Sequence, residues 1–87
     1  MNFSDALNHI KAGKLMHRYS WNGTGMFIFL APGSTFKVNR PPLYGIFEEG
    51  TEVSYHAHID VKSVDGIIVP WLASQTDLLA EDWAVYN

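Results

Sequence analysis

Met26-Phe27-Ile28-Phe29-Leu30-Ala31 is the stretch on which the fold turns. It has the length of one strand but no polar alternation: Met26, Ile28 and Leu30 point one way, and Phe27, Phe29 and Ala31 the other. Both faces therefore call for burial. In a chain of 87 residues, one helix covers only one sheet face, so the second face is expected to meet another copy of the protein. The sequence thus predicts a homo-oligomer.

Towards the N-terminus, Leu15 to Tyr19 reads as extended, and Trp21-Asn22-Gly23-Thr24-Gly25 joins it to the apolar strand as a roomy hairpin loop. Before that, Phe3, Ala6, Leu7 and Ile10 fall on one helical stripe, with Asn2 or Ser4 as the cap and Gly13 as the stop. Towards the C-terminus, residues 32–54 carry three of the four prolines and no sustained period. They read as a long excursion, functional or mobile, in which Leu43-Tyr44-Gly45-Ile46-Phe47 is apolar enough to pack somewhere. Ala57 to Val64 alternates as a strand, Asp65-Gly66 reads as a type I′ turn, and Ile67 to Val69 completes the hairpin up to Pro70. Ser74 opens a second short helix, with Asp77 placed to return a capping bond to the Ser74 backbone. Trp83 to Tyr86 reads as a last strand. The order predicts an α+β fold: a small antiparallel sheet, one N-terminal helix and a second short helix near the C-terminus, in a single domain spanning residues 1–87.

Composition removes several classes of function. The chain is 47% hydrophobic and 17% charged and has no cysteine, so no disulfide and no thiolate metal site is available. Six basic residues against nine acidic ones give a net charge of -3. The cations are dispersed, whereas a nucleic-acid polymer wants them clustered along a phosphate track. Neither a signal peptide nor a membrane-length apolar run is visible. A soluble intracellular protein with no nucleic-acid polymer and no membrane as partner is expected.

Two tryptophan-centred segments carry the candidate site. In Trp21-Asn22-Gly23-Thr24-Gly25 an indole can stack on a base or ribose, Asn22 can read a polar edge, and the glycines let backbone amides come close. The same residues also fit a tight turn whose indole caps the core. In Pro70-Trp71-Leu72-Ala73-Ser74-Gln75-Thr76-Asp77 a ring stands beside a helix start, whose free amides attract polar or anionic groups. Ser74 and Asp77 also fit simple capping, and the Asp77 charge suits a ribose diol or an amine better than a bare phosphate. His56, His58 and Asp60 share a strand face, but ligands at that spacing fan apart and lack a fourth donor, so no metal is expected. Glu48-Glu49 and Glu81-Asp82 are adjacent acids pointing apart, and no Ser/His/Asp set that the four histidines allow sits on a nucleophile elbow. Nothing calls for catalytic residues or a cofactor.

The opening Met1-Asn2-Phe3-Ser4-Asp5-Ala6-Leu7 with its helix, the Trp-Asn-Gly hairpin and nearly all of residues 66–86 together resemble the phage type-two Thoeris anti-defence family. The Val-Pro-Trp-Leu-Ala-Ser-Gln-Thr-Asp-x-Leu-Ala-Glu-Asp-Trp run is the specific part, and residues 32–56 are not diagnostic. The resemblance implies a homotetrameric sponge in the cytoplasm of the infected bacterial host. Such proteins bind cyclic ADP-ribose-type signals made by Thoeris TIR proteins, and some hold cyclic di- or trinucleotides. Family members often have Gly before the Trp and Lys inside the loop; here Ser20 and Thr24 stand there, which moves a phosphate contact to Arg18 or Lys14. On this basis the expected ligand-binding residues are Arg18, Trp21, Asn22, Gly23, Gly25 and Phe27 on one segment, and Trp71, Ser74, Thr76, Asp77 and Asp82 on the other. Two other readings stand beside it. One is a hydrolase of the same signals with Asp77 or Asp82 as base; the other is a phage protein-interaction module with no nucleotide ligand.

Overall fold

A computed structural model describes residues 1–21 and 24–87. The apolar stretch forms a central strand of an antiparallel five-stranded sheet. Its strands, in chain order, are β1 (Met16–Arg18), β2 (Phe27–Ala31), β5 (His58–Lys62), β6 (Ile68–Pro70) and β7 (Trp83–Val85), arranged β6-β5-β2-β1-β7. Between β2 and β5 the chain leaves the sheet as a separate hairpin of β3 (Ser34–Lys37) and β4 (Glu52–Tyr55). Helix α1 (Phe3–Lys11) precedes the sheet, and α2 (Gln75–Leu79) lies between β6 and β7. The architecture is α+β, with one N-terminal helix and a short helix near the C-terminus.

Register explains the two faces of β2. Ile28 lies opposite Val61 and Met16, and Leu30 opposite Ile59, which makes one continuous apolar face. Helix α1 covers it. Ala6 and Ile10 of that helix, with Met16, Ile28 and Trp83, are fully buried, and Phe3, Trp21, Leu30, Ile59, Val61 and Trp71 pack around them. Asn2 caps the helix through its side-chain oxygen, which accepts the Asp5 N–H. Gly13, at a φ of 91°, takes the left-handed position past its end. On the opposite face Phe27, Phe29 and Tyr86 form an aromatic row, with centroids 5.9 Å apart for Phe27–Phe29 and 4.8 Å for Phe27–Tyr86. His17 extends the row edge-on to Tyr86 at 5.3 Å. Among the described residues no helix covers this face.

Three local expectations change. Residues 32–54 are not an unstructured excursion, because the β3–β4 hairpin occupies their flanks with Phe36 opposite Val53 and Lys37 opposite Glu52. Exposed strands of such a free-standing hairpin need no sustained apolar alternation, so the pattern is faint. Val38 is buried inside this arm, whereas Tyr44, Ile46 and Phe47 remain exposed. The turn at Asp65-Gly66 is not type I′, which requires positive φ at both central residues. Only Gly66 is positive, at 87°, and its N–H donates to the Ser63 carbonyl at 3.0 Å while Ser63 N–H donates to Ile67. This is a glycine-bulged turn. Finally, Ser74 caps α2 by accepting the Asp77 N–H, but the Asp77 carboxylate does not return the bond.

Candidate functional site

The Asp77 carboxylate is held by Arg18. This guanidinium, carried by β1, donates from Nη1 to Asp77 Oδ1 at 2.9 Å and from Nε to Asp82 Oδ1 at 2.7 Å. The second oxygen of Asp82 accepts the Ser20 N–H at 3.0 Å. One side chain thus ties the short helix, the chain entering β7 and the loop after β1 into a single cluster. Strand pairing sets the reach, because Arg18 lies opposite Trp83, one residue beyond Asp82. Arg18 and Asp77 keep only about one-seventh of their side-chain surface exposed, at 15% and 16%, while Asp82 keeps 32%.

The electrostatics follow from this geometry. Hydrogen bonds to Asp82 and then to Asp77 raise the Arg18 pKa, against the opposing effect of burial. Arg18 in turn holds the Asp82 carboxyl below its ordinary range, with the Ser20 amide assisting and desolvation opposing. Two carboxylates around one guanidinium leave the cluster with a net negative charge. It suits hydroxyl or amine donors, such as a ribose diol, better than a phosphate.

Around this cluster the aromatic rings converge. Trp83 is fully buried at the centre, and its indole N–H donates to the Asp77 carbonyl at 2.9 Å. Trp21 meets it edge-on at 5.4 Å and Trp71 edge-on at 6.0 Å. Phe3 fills the space between Trp71 and Trp83, at 5.7 and 5.3 Å. Two segments fifty residues apart in the chain are therefore brought against one ring. Trp21 and Trp71 are half-buried, so each offers part of its surface outward while anchoring the other part in the core.

The remaining expected site residues divide. Gly25, with a φ of 74°, has its carbonyl oxygen bound by Lys62 Nζ at 2.9 Å. Ser74 and Thr76 are exposed on α2, and the Ser74 hydroxyl is occupied by its capping bond. Phe27 belongs to the other sheet face and joins Tyr86 and Phe29 instead of the tryptophans. Asn22 and Gly23 lie outside the described residues. Sequence reading missed Lys62, which sits over the Phe27 ring at 5.6 Å while fixing Gly25; its place opposite Phe27 in the β2–β5 register was the available signal. It also missed Trp83 as the hub and Ser20 as an amide donor. No group of three or more His, Cys, Asp or Glu side chains among the described residues is arranged to hold a metal ion. His58 Nε2 instead meets Asp60 Oδ1 at 3.2 Å. No helix of the described residues is long and apolar enough to cross a membrane.

Residues 1–86 match the family model of the Thoeris anti-defense 2-like domain. Over 87 residues the chain is 36% identical to a protein of Bacillus phage SP01 named Thoeris anti-defense 2, covering 100% of this chain and 96% of that protein.

Proposed function

The chain belongs to the Thoeris anti-defense 2-like family and is a phage anti-defence protein, and we propose that it acts by binding and sequestering a cyclic ADP-ribose-type immune signal without cleaving it. The observation that carries this reading is the meeting of both tryptophan segments at one hub. Trp21 and Trp71 pack edge-on against Trp83, beside a carboxylate pair fixed by Arg18. Half-buried indoles supply stacking surface for a base, and rigidly held carboxylates accept from ribose hydroxyls without first having to be ordered. In this reading Arg18, Trp21, Asn22, Gly23, Gly25, Trp71, Ser74, Thr76, Asp77 and Asp82 line the ligand. Phe27, on the far sheet face, contributes by seating Lys62 above the loop exit.

The assembly proposed is a homotetramer in the host cytoplasm. Its support is the uncovered aromatic row of Phe27, Phe29 and Tyr86, which a second copy would bury. A hydrolase is the less favoured reading for a physical reason. A general base working near neutral pH needs its pKa raised towards 7, yet Arg18 lowers that of Asp82.

The test uses extract from cells carrying an activated defence TIR protein. The oligomer is incubated with it, washed and heated, and the released compound is identified by mass spectrometry. Release of an intact cyclic ADP-ribose-type mass is expected from the parent protein, with none from a folded Trp21→Ala variant. Release of a linear product would support a hydrolase, and release of nothing would support a protein-interaction module.

A further inference from the structure

A lysine on a strand ordinarily runs its stem along the surface and leaves its ammonium in water. Lys62 turns inward instead. It lies on β5 opposite Phe27 of β2, so the two side chains share the aromatic face of the sheet. Its ammonium stands 5.6 Å from the centre of the Phe27 ring and donates to the Gly25 carbonyl at 2.9 Å. Lys62, Phe27 and Gly25 are all half-buried. Holding a long side chain in one pose costs rotamer freedom. Two contacts offset that cost here, the charge-assisted hydrogen bond and the attraction of the ring face for a cation.

The carbonyl that Lys62 holds lies at the exit of the Trp21 segment. Within that segment the Trp21 carbonyl accepts the Thr24 N–H at 3.1 Å and the Thr24 hydroxyl at 2.7 Å, and the same hydroxyl accepts the Met26 N–H at 3.2 Å. These bonds tie Trp21 to Met26 through Thr24, but they are internal to the segment. Lys62 adds a tie from outside, 37 positions further along the chain. The indole of Trp21 packs edge-on to Trp83 on the core face, whereas Lys62 is rooted on the face of Phe27. One side chain thus reaches from one face of the sheet to a segment that serves the other.

We propose that Lys62 is a positioning residue that couples the two faces of the sheet. The Phe27 ring fixes the ammonium, the ammonium fixes the Gly25 carbonyl, and that carbonyl fixes the pose in which Trp21 is presented at the hub. A change at the Phe27 ring therefore reaches the hub through Lys62. The coupling stands on this geometry; its effect on ligand retention rests on the sequestration reading.

Amide exchange in the full chain tests the coupling, read at Thr24 and Met26, with Trp71 and Tyr86, whose N–H groups bond to Ile59 and Leu15, as controls in the sheet. Lys62→Met, which keeps the stem and loses the donor, is expected to speed exchange at Thr24 and Met26 roughly tenfold or more while the controls stay at the parent rate. Lys62→Arg, which restores a donor and a cation for the ring, should return both amides to near the parent rate. Phe27→Leu is expected to speed them about threefold in the parent and to add nothing once Lys62→Met is present, because its effect passes through the lysine. Equal acceleration at the controls, no rescue by arginine, or additive effects of the two substitutions would overturn the proposal. In the extract experiment Lys62→Met is expected to release the retained compound roughly tenfold faster than the parent, and Lys62→Arg at near the parent rate. Release from Lys62→Met at the parent rate would overturn the positioning role. Failure of the sequestration reading shows differently, as a parent that retains nothing while the exchange pattern persists.

Discussion

Arg18 shows how one side chain can tie a short helix to a strand pair that the backbone already links, Tyr19 N–H donating to the Asp82 carbonyl at 3.0 Å. Its two carboxylate partners come from a helix and from the entry to a strand, so its removal would leave two acids facing each other and the Ser20 amide with a loosened acceptor. Because Asp82 has its folded pKa depressed by Arg18, its contribution to stability is fully present above the unfolded carboxylate value, about 4. That contribution disappears as pH falls through the lower folded value. Asp82→Asn is therefore expected to unfold at lower urea than the parent near neutral pH, with the gap closing below about pH 4. A gap of constant size down to about pH 2 would remove the ionised pair as its source. At this scale the sequence pointed to the participants but not to their pairings. Arg18, Asp77 and Asp82 all stood among the expected residues, yet local patterns describe neighbours, and Arg18 lies 59 and 64 positions from its partners. Asp77 was accordingly expected to satisfy its own helix start.

Among the elements, the β3–β4 arm departs most from the sequence reading. The central sheet was legible because β2 is apolar on both faces and β5 alternates, and burial imposes both patterns. The arm buries little besides Val38, so burial left almost no periodic trace. Its attachment depends on close backbone approach at Gly33. A Cβ there would stand 2.7 Å from the Tyr55 carbonyl oxygen and 3.1 Å from the Ala57 nitrogen. Both are main-chain atoms and cannot swing aside, so the base of the arm would have to shift. Gly33→Ala is expected to cost about 1–3 kcal/mol and to speed amide exchange selectively in Ser34–Lys37 and Glu52–Tyr55. Unchanged exchange in those two strands would place the hinge elsewhere.

As a whole the molecule measures 46 × 26 × 24 Å, with a radius of gyration of 16.0 Å, against about 12 Å for a compact chain of this length. A protrusion with Tyr44, Ile46, Phe47 and Tyr55 exposed, together with the half-buried aromatic row on the sheet, offers apolar surface to a second copy. For the proposed tetramer, Phe29→Asp places a charge in the middle of the aromatic row and is expected to lower the mass seen by light scattering. An unchanged mass would move the interface to the arm or to β6, an edge strand whose Ile68 and Val69 are exposed. The second face of β2 was legible in the sequence as a surface lacking cover, whereas the arm's exposure was not. One further property follows from the hub. All three tryptophans of the chain meet within one cluster, two of them edge-on to the third, and indoles so close in a fixed chiral arrangement couple their electronic transitions. The near-ultraviolet dichroism and emission of the protein are thus properties of the cluster as a unit, so the chain contains its own optical gauge of whether α2, β7 and the loop after β1 remain in register.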